Sequence, residues 1–127
     1  MTFFFDRTFG VKIPQALLLL NLPVGIEYHQ QHFEMNAPDD YWLPIVGAYD
    51  WIVISQDYSY HEKETELAAI KQHNMGCFYL WGSEAGKWET MRVFAKAFDK
   101  ILNKADLAIR PFVFDVGRRG ALRELAI

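Results

Sequence analysis

The chain has 127 residues, of which 51% are hydrophobic, 16% aromatic and 23% charged, a balance typical of one globular domain. The formal net charge of −3 gives no overall attraction to nucleic acid, so any such contact needs a local basic patch or bound cations. The single cysteine, Cys77, excludes an internal disulfide framework, and its apolar neighbours predict a buried core side chain rather than a nucleophile.

The N-terminal part of the chain shows no targeting or membrane signal. Its longest strongly apolar stretch, Ala16–Leu20, is far too short to span a bilayer. No basic segment precedes an apolar one at the N-terminus, and Asp6 interrupts the only candidate. Together with the lone cysteine, these features predict a cytoplasmic protein that does not contact membranes.

Predicted strands and helices alternate along the chain. Strands are predicted at Met1–Asp6, Gly25–His29, Trp51–Ser55 and Cys77–Trp81, and helices at Val11–Asn21, from Asp39 or Asp40 to about Val46, at Glu62–Asn74 and at Trp88–Asn103. Phe112–Val116 and Ala121–Leu125 form a predicted terminal hairpin. The alternation predicts a single domain over residues 1–127, a three-layer α/β/α fold with a mainly parallel central sheet plus a C-terminal β-hairpin.

Two predictions concern the core. The strand that contains Phe3, Phe4 and Phe5 is apolar at every position, which is typical of a central strand covered on both faces. In the first helix, Leu17, Leu18 and Leu20 are predicted to face the core.

Three acids fall at equivalent places beside the predicted strands. Asp6 ends the first strand, Asp39 or Asp40 opens the helix after the second, and Asp57 follows the third. In a parallel sheet these places share one edge, where carboxylates repel one another unless a cation lies among them. Their hard oxygen ligands favour Mg²⁺ or Mn²⁺ over zinc. Glu66, in the next helix, could reach the same edge.

Each acid singly also has a structural explanation. Asp39 and Asp40 are of a residue type that often caps helices, and aspartates such as Asp6 and Asp57 are common in turns. A glutamate such as Glu66 is favoured near a helix N-terminus by the helix dipole. The shared position of the acids makes a metal site a hypothesis to test. The spacing of the histidines gives no zinc signature, and they stand at positions 29, 32, 61 and 73. Neither a phosphate-binding glycine loop nor a Gly-x-Ser-x-Gly element is present.

Four segments, in this order and spacing, resemble the compact PIN-like domains related to VapC-type toxins: Phe4–Asp6, Pro38–Leu43, Trp51–Asp57 and Glu66–Ile70. The resemblance covers about residues 2–103, and the terminal hairpin fits the end of such domains. It implies a Mg²⁺- or Mn²⁺-dependent endoribonuclease that hydrolyses phosphodiester bonds. It also implies the toxin of a type II toxin-antitoxin pair, held in check by a cognate antitoxin, and a potential homodimer.

Carried over by position, the resemblance assigns catalytic roles to Asp6, Asp39, Asp57 and Glu66. The first three would hold the metal, with Asp40 as an alternative to Asp39. The hairpin supplies the best basic patch, Arg110, Arg118, Arg119 and Arg123, of which Arg118 and Arg119 are candidates for substrate binding. A solvated hairpin tip is the structural alternative for these arginines.

Two other readings remain open. A catalytically inactive PIN-like scaffold would act as a protein-binding module, which the aromatic surplus suggests, in particular Tyr41, Tyr49, Tyr58 and Tyr60 near the active edge. Tyrosines there could instead stack on bases. A structure-specific nuclease that acts on DNA would use the same chemistry, and only a panel of substrates separates it from a ribonuclease.

Overall fold

The computed structural model describes all 127 residues and contains one six-stranded sheet. The strands are β1 (Thr2–Phe5), β2 (Gly25–Tyr28), β3 (Ile52–Ser55), β4 (Gly76–Leu80), β5 (Phe112–Val116) and β6 (Leu122–Leu125). Their order across the sheet is β2-β1-β3-β4-β5-β6; β1 to β5 are parallel, and β6 pairs with β5 in an antiparallel hairpin. This confirms the predicted mainly parallel sheet and the C-terminal hairpin.

Four α-helices cover the two faces of the sheet: α1 (Lys12–Leu19), α2 (Asp39–Ala48), α3 (Glu64–Gln72) and α4 (Lys87–Leu107). Side chains of α1 and α4 share one apolar cluster with one face of the sheet, and those of α2 and α3 share a second cluster with the other face. The predicted α/β/α layering is therefore confirmed. No helix combines the length and the hydrophobicity needed to cross a membrane.

The aromatic strand β1 lies inside the sheet and contributes to both apolar clusters. Phe3 and Phe5 pack on the α1 and α4 side, and Phe4 packs on the α2 and α3 side, all with no exposed surface. Side chains alternate between the faces of a strand, so an all-apolar run suits a strand covered on both sides. Burial of one such side chain stabilises the fold by about 1.5–3 kcal/mol.

Cys77 lies in β4 with no exposed surface, as predicted. Burial raises the pKa of its thiol to about 12. The side chain therefore stays protonated at neutral pH, and it packs as part of the core.

The prediction for the core face of α1 was wrong at two of three positions. Leu17 is buried together with Ile13, one helical turn earlier, but Leu18 and Leu20 are 45% and 63% exposed. The helix ends at Leu19, and the chain turns through Asn21 with a positive φ of 56°. Leu20 therefore lies outside the helical stripe that it would have extended.

Two helix starts also differ from the prediction. The N-cap of α2 is Pro38, so Asp39 and Asp40 lie in the first turn instead of capping it. The helix α3 begins at Glu64 because Tyr60–Glu62 form a separate 3₁₀ turn and Lys63 is extended. Both changes affect the site, since they fix the directions in which Asp39 and Lys63 project.

Candidate active site

The site lies at the carboxyl edge of the parallel strands, where sites of open α/β sheets form. Asp6 directly follows β1 and Asp57 lies two residues after β3, its immediate neighbour in the sheet. The hydroxyl of Ser55, the last residue of β3, donates a hydrogen bond to the Asp6 carboxylate. The pairing of β1 with β3 therefore brings together residues that are about fifty positions apart in the chain.

Asp6 is the most enclosed of the acids, with no exposed surface. Its carboxylate accepts hydrogen bonds from the Thr8 amide, at 3.0 Å, and from the hydroxyls of Thr8, Ser55 and Tyr60. Burial raises the pKa of Asp6, and the hydrogen bonds from Ser55, Thr8 and Tyr60 oppose that shift because they favour the ionised form. Both oxygens therefore have partners within the protein.

Asp39 projects from the first turn of α2, and its side chain is 10% exposed. One oxygen accepts a hydrogen bond from the Arg7 guanidinium at 2.8 Å and from the Trp42 indole nitrogen at 3.1 Å. The other oxygen faces the ammonium of Lys63 at 3.9 Å. Burial raises the pKa of Asp39, with Arg7 the largest opposing influence.

Asp57 is the most accessible of the three, with 24% of its side chain exposed. It accepts a hydrogen bond from the Ser59 hydroxyl, and its backbone amide donates to the Ser55 oxygen at 2.9 Å. One carboxylate oxygen lies 3.8 Å from the Lys63 ammonium, the same group that faces Asp39. Asp39 and Asp57 thus converge on one cation of the protein.

The other two predicted acids stand apart from this convergence. Asp40 is exposed and makes neither a side-chain hydrogen bond nor an ion pair, so it is Asp39 that lies beside Asp57. Glu66 lies in the first turn of α3, half-buried, and accepts a hydrogen bond from the Thr65 hydroxyl at 2.8 Å. It has no ion pair or hydrogen bond with Asp6, Asp39 or Asp57.

No group of three or more His, Cys, Asp or Glu side chains is arranged so that it could hold a metal ion. The chemistry of the donor set nevertheless fits a hard cation, because two carboxylates already face a common positive charge, the ammonium of Lys63. Asp6 lies at the same edge and accepts a hydrogen bond from Tyr60, whose pKa is raised by burial and by the nearby charges of Asp6 and Asp39. A metal ion there would have to replace the ammonium of Lys63.

Three side chains at this edge, His29, Gln30 and Gln56, have buried polar atoms that lack hydrogen-bond partners. His29, directly after β2, is fully buried with both ring nitrogens unpaired and lies against Phe33 and Trp42. Burial lowers the pKa of His29, and the positive charge of Arg7 acts in the same direction. The side-chain nitrogen of Gln56, 7% exposed, is also unpaired.

The predicted basic patch of the hairpin divides into separate parts. Arg110 precedes β5, at the opposite edge of the sheet, and pairs with Asp50, while Arg123 pairs with Asp115 across the hairpin. Arg118 and Arg119 lie in the turn after β5, at the edge that carries the acids. Both are exposed.

Two adjoining pockets that share Glu89 and Arg118 lie beside these two arginines. The first, with a volume of about 550 Å³, is lined by Tyr58, Trp81 and Arg118, among others, and by none of the three acids. Arg118 lies over the Trp81 ring at 5.3 Å and pairs with Glu89 at 3.0 Å. The second pocket adds three further cationic side chains, Arg92, Lys96 and Arg119.

The four tyrosines predicted near the edge have different surroundings. Tyr41 and Tyr49 are 59% and 64% exposed, and the placement of Tyr49 near this edge was wrong: it follows the C-terminal end of α2 and stacks on Trp51, which precedes β3 at the opposite end of the sheet. Tyr60 is 1% exposed and donates its hydroxyl to Asp6, so it is part of the site and not of a partner surface. Tyr58 donates to the Leu80 carbonyl at 2.5 Å.

Sequence reasoning missed the two cations and the hydroxyl donors of the site. Arg7 directly follows Asp6, and Lys63 is the only lysine or arginine between Asp57 and Glu66, so both had a local signal. Ser55 and Tyr60 had no such signal, because their roles depend on the pairing of β1 with β3 and on the 3₁₀ turn.

The fold and the edge define a class: an α/β domain with a central parallel sheet and carboxylates after its neighbouring strands. Within that class, the model of the PIN-like domain family matches residues 1–82, and the chain belongs to this family. Comparison with curated proteins and with solved structures gave no significant match. PIN-like domains are generally nucleases that use divalent metal ions, so the family indicates an enzyme that acts on nucleic acid. The match ends at Gly82, and therefore Arg118 and Arg119 lie outside it.

Proposed function

We propose that the protein is a Mg²⁺- or Mn²⁺-dependent endoribonuclease. The observation that carries this proposal is the convergence of Asp39 and Asp57 on a single positive charge at the edge where Asp6 also lies, in a chain of the PIN-like family. Carboxylates that gather around a cation are the ligands that a hard divalent ion requires.

Asp6, Asp39 and Asp57 would hold the metal, which when bound would stabilise negative charge on the phosphate and favour ionisation of water. The chain's own groups fix the carboxylates. Thr8, Ser55 and Tyr60 hold Asp6, and Arg7 and Trp42 hold one oxygen of Asp39. Such preorganised groups need little rearrangement during a reaction.

Asp57 is the carboxylate best placed to contact the attacking water, because it is the most exposed of the three. In phosphodiester hydrolysis, water adds to phosphorus, a base takes its proton and the leaving oxygen receives a proton. Glu66, half-buried at the start of α3, would assist by orienting water or a second ion. Its present hydrogen bond to Thr65 joins neighbouring residues and would not prevent this role.

Arg118 and Arg119 would bind phosphates of the RNA outside the reacting bond. They lie at the same edge as the acids, and the pocket that Arg118 lines is also lined by Tyr58, the residue after Asp57 in the chain. Local cationic groups of this kind are needed because the whole chain carries a net charge of −3.

In the cell, the protein would act as the toxin of a type II toxin-antitoxin pair in the cytoplasm, with a cognate antitoxin protein and potentially a second copy of the chain as partners. The support for this part is the likeness of the four acidic and aromatic segments to VapC-type domains. Induced expression tests it: the wild type should arrest growth, and Asp57→Asn should not. Growth at the uninduced rate in both strains would contradict the toxin role.

The biochemical test uses purified protein, EDTA treatment and readdition of Mg²⁺ or Mn²⁺ with matched RNA and DNA substrates. Cleavage of RNA that needs the metal and disappears in Asp57→Asn is the expected result. Asp40→Asn is the matched control, since Asp40 is exposed and unpaired on the same edge. Preferential cleavage of DNA would replace the ribonuclease proposal with a DNA nuclease.

A second candidate, an inactive PIN-like scaffold that binds a protein, is favoured by one observation. The acids are already neutralised in part by Arg7 and Lys63, and no finished metal site is present. On this alternative, neither metal nor Asp57→Asn would change any property except stability.

A further inference from the structure

The acidic edge is the end of the sheet that carries Asp6, Asp39 and Asp57. Lys63 and Arg7 are the two cations at this edge, and they are held in different ways. The Arg7 guanidinium donates hydrogen bonds to Asp39 and also to the backbone carbonyls of Met35 and Ala37, at 2.9 and 2.6 Å. The Lys63 ammonium makes no hydrogen bond, since its distances of 3.9 and 3.8 Å to Asp39 and Asp57 exceed hydrogen-bond range. Arg7 is therefore anchored, and Lys63 is held by charge alone.

The backbone of Lys63 is fixed, but its side chain is free to move. Lys63 is the N-cap of α3, where its carbonyl accepts the first helical hydrogen bond from Leu67 at 2.8 Å. Its side chain is 45% exposed and reaches the acids through a flexible four-carbon stem. An exposed pair of this kind stabilises a protein weakly, by about 0–1 kcal/mol, so displacement of the ammonium costs little.

The charges at the edge indicate what would replace the ammonium. Asp39 faces the charges of Arg7 and Lys63, Asp57 faces only that of Lys63, and Asp6 has no ion pair. A divalent cation in place of the ammonium would bring a second positive charge to the two carboxylates that now share Lys63. Asp39 and Asp57 offer it the oxygen atoms that Lys63 now faces.

We propose that Lys63 is a built-in competitor for the divalent ion: its ammonium occupies the place between Asp39 and Asp57, and the metal binds only when it swings away. The proposal rests on the proposed metal-dependent function and deepens it. It makes Lys63 a positioning residue that sets the metal concentration at which the site fills. The site would therefore stay without metal at divalent-ion concentrations that would fill the same site if Lys63 were absent.

The test measures Mn²⁺ binding to the EDTA-treated full-length protein, with free Mn²⁺ followed by electron paramagnetic resonance. Lys63→Met keeps the length and apolar stem of the side chain and removes its charge. We expect it to bind Mn²⁺ about 2–5-fold more tightly than the wild type, the range that loss of an ion pair worth up to about 1 kcal/mol allows. Lys63→Arg, which keeps the charge, should stay close to the wild type.

Two further variants show where the gain arises. Lys71→Met removes a lysine of the same helix that makes no ion pair, and it should leave Mn²⁺ affinity unchanged. Asp39→Asn in the Lys63→Met background should bind Mn²⁺ more weakly than Lys63→Met alone, because Asp39 is a proposed ligand of the ion, and this variant locates the bound Mn²⁺ at the acidic edge. Thermal unfolding of each variant checks that it is folded before binding is compared.

Equal or weaker Mn²⁺ binding by Lys63→Met would overturn the competitor role. If Asp39→Asn nevertheless loses Mn²⁺ binding, the proposed metal-dependent function stands, without a competitor role for Lys63. Absence of Mn²⁺ binding in every variant at millimolar concentration would overturn the competitor role as well. RNA cleavage by the wild type that is lost in Asp57→Asn would then decide the proposed function separately.

Discussion

The acidic edge and the basic turn, which carries Arg118 and Arg119, lie at the same end of the sheet, but their side chains are held in opposite ways. Asp6 is fully buried and receives hydrogen bonds from Thr8, Ser55 and Tyr60. Arg118 and Arg119 are exposed on a turn, and Arg118 has one ion pair and one aromatic contact. The geometry of the acids is therefore set by folding, whereas the arginines remain free to adapt to a ligand.

Their relation to the family differs in the same way. The acids lie within residues 1–82, which the PIN-like model matches, and the basic turn lies beyond them. Chemistry is therefore expected to depend on the acids, and the choice and affinity of substrate on the turn. Variants at the two regions should separate catalytic rate from affinity.

The largest expected effect is the loss of cleavage activity in the Asp57→Asn variant. Loss of a charged group that contacts the reacting site should lower the cleavage rate by at least about 100-fold. The melting temperature should stay unchanged or rise, because one of several neighbouring carboxylates loses its charge. Rate assays and thermal unfolding of the same preparation test this, with Asp40→Asn as the control. A parallel loss of fold and activity would mean that Asp57 is structural.

The next effect is on stability. Tyr60→Phe removes one of the hydrogen bonds to the buried Asp6 carboxylate, and a hydrogen bond to a charged group contributes about 1.5–3 kcal/mol. Denaturant unfolding measures the change in the free energy of unfolding. Tyr41→Phe is the matched control, since Tyr41 is 59% exposed and its hydroxyl has no partner in the protein. Equal stability of the two variants would remove Tyr60 from the network that holds Asp6.

A smaller effect is expected at the basic turn. Arg118→Ala combined with Arg119→Ala should weaken RNA binding by about 3–10-fold per arginine at low salt and reduce the salt dependence of the affinity. The cleavage rate at saturating RNA should change little. Arg123→Ala is the control, because Arg123 pairs with Asp115 on the strands of the hairpin. An unchanged salt dependence would place the RNA on another surface.

The smallest effect concerns pH and His29. Its folded pKa lies below the ordinary value of 6.5, so below pH 6.5 the unfolded chain takes up a proton that the folded protein does not. Stability should therefore fall as the pH decreases from 6.5 to the folded pKa, by at most about 1.4 kcal/mol per pH unit for one proton. His29→Phe should flatten this fall, and His73→Gln, at a half-exposed position, should not. Unfolding curves between pH 7.5 and 5 test the difference, and equal slopes in the wild type and His29→Phe would exclude His29 as the cause.

Much of the fold followed from local patterns. The apolar runs of β1, β3 and β4 predicted buried parallel strands, because such strands are covered on both faces. The failures occurred at helix ends. Leu18 and Leu20 were assigned to the core of a helix that stops at Leu19, and no local signal separates them from Leu17.

The sequence by itself determined the order of strands and helices and the placement of Asp6, Asp39 and Asp57 at comparable positions beside the strands, since these depend on spacing and side-chain type. Only the tertiary structure decided that Asp39, and not Asp40, lies near Asp57, and that Ser55 and Tyr60 hold Asp6. It also decided that Lys63 stands between two of the acids. These contacts join residues that are far apart in the chain, and their geometry arises from strand pairing and helix packing, which no local pattern contains.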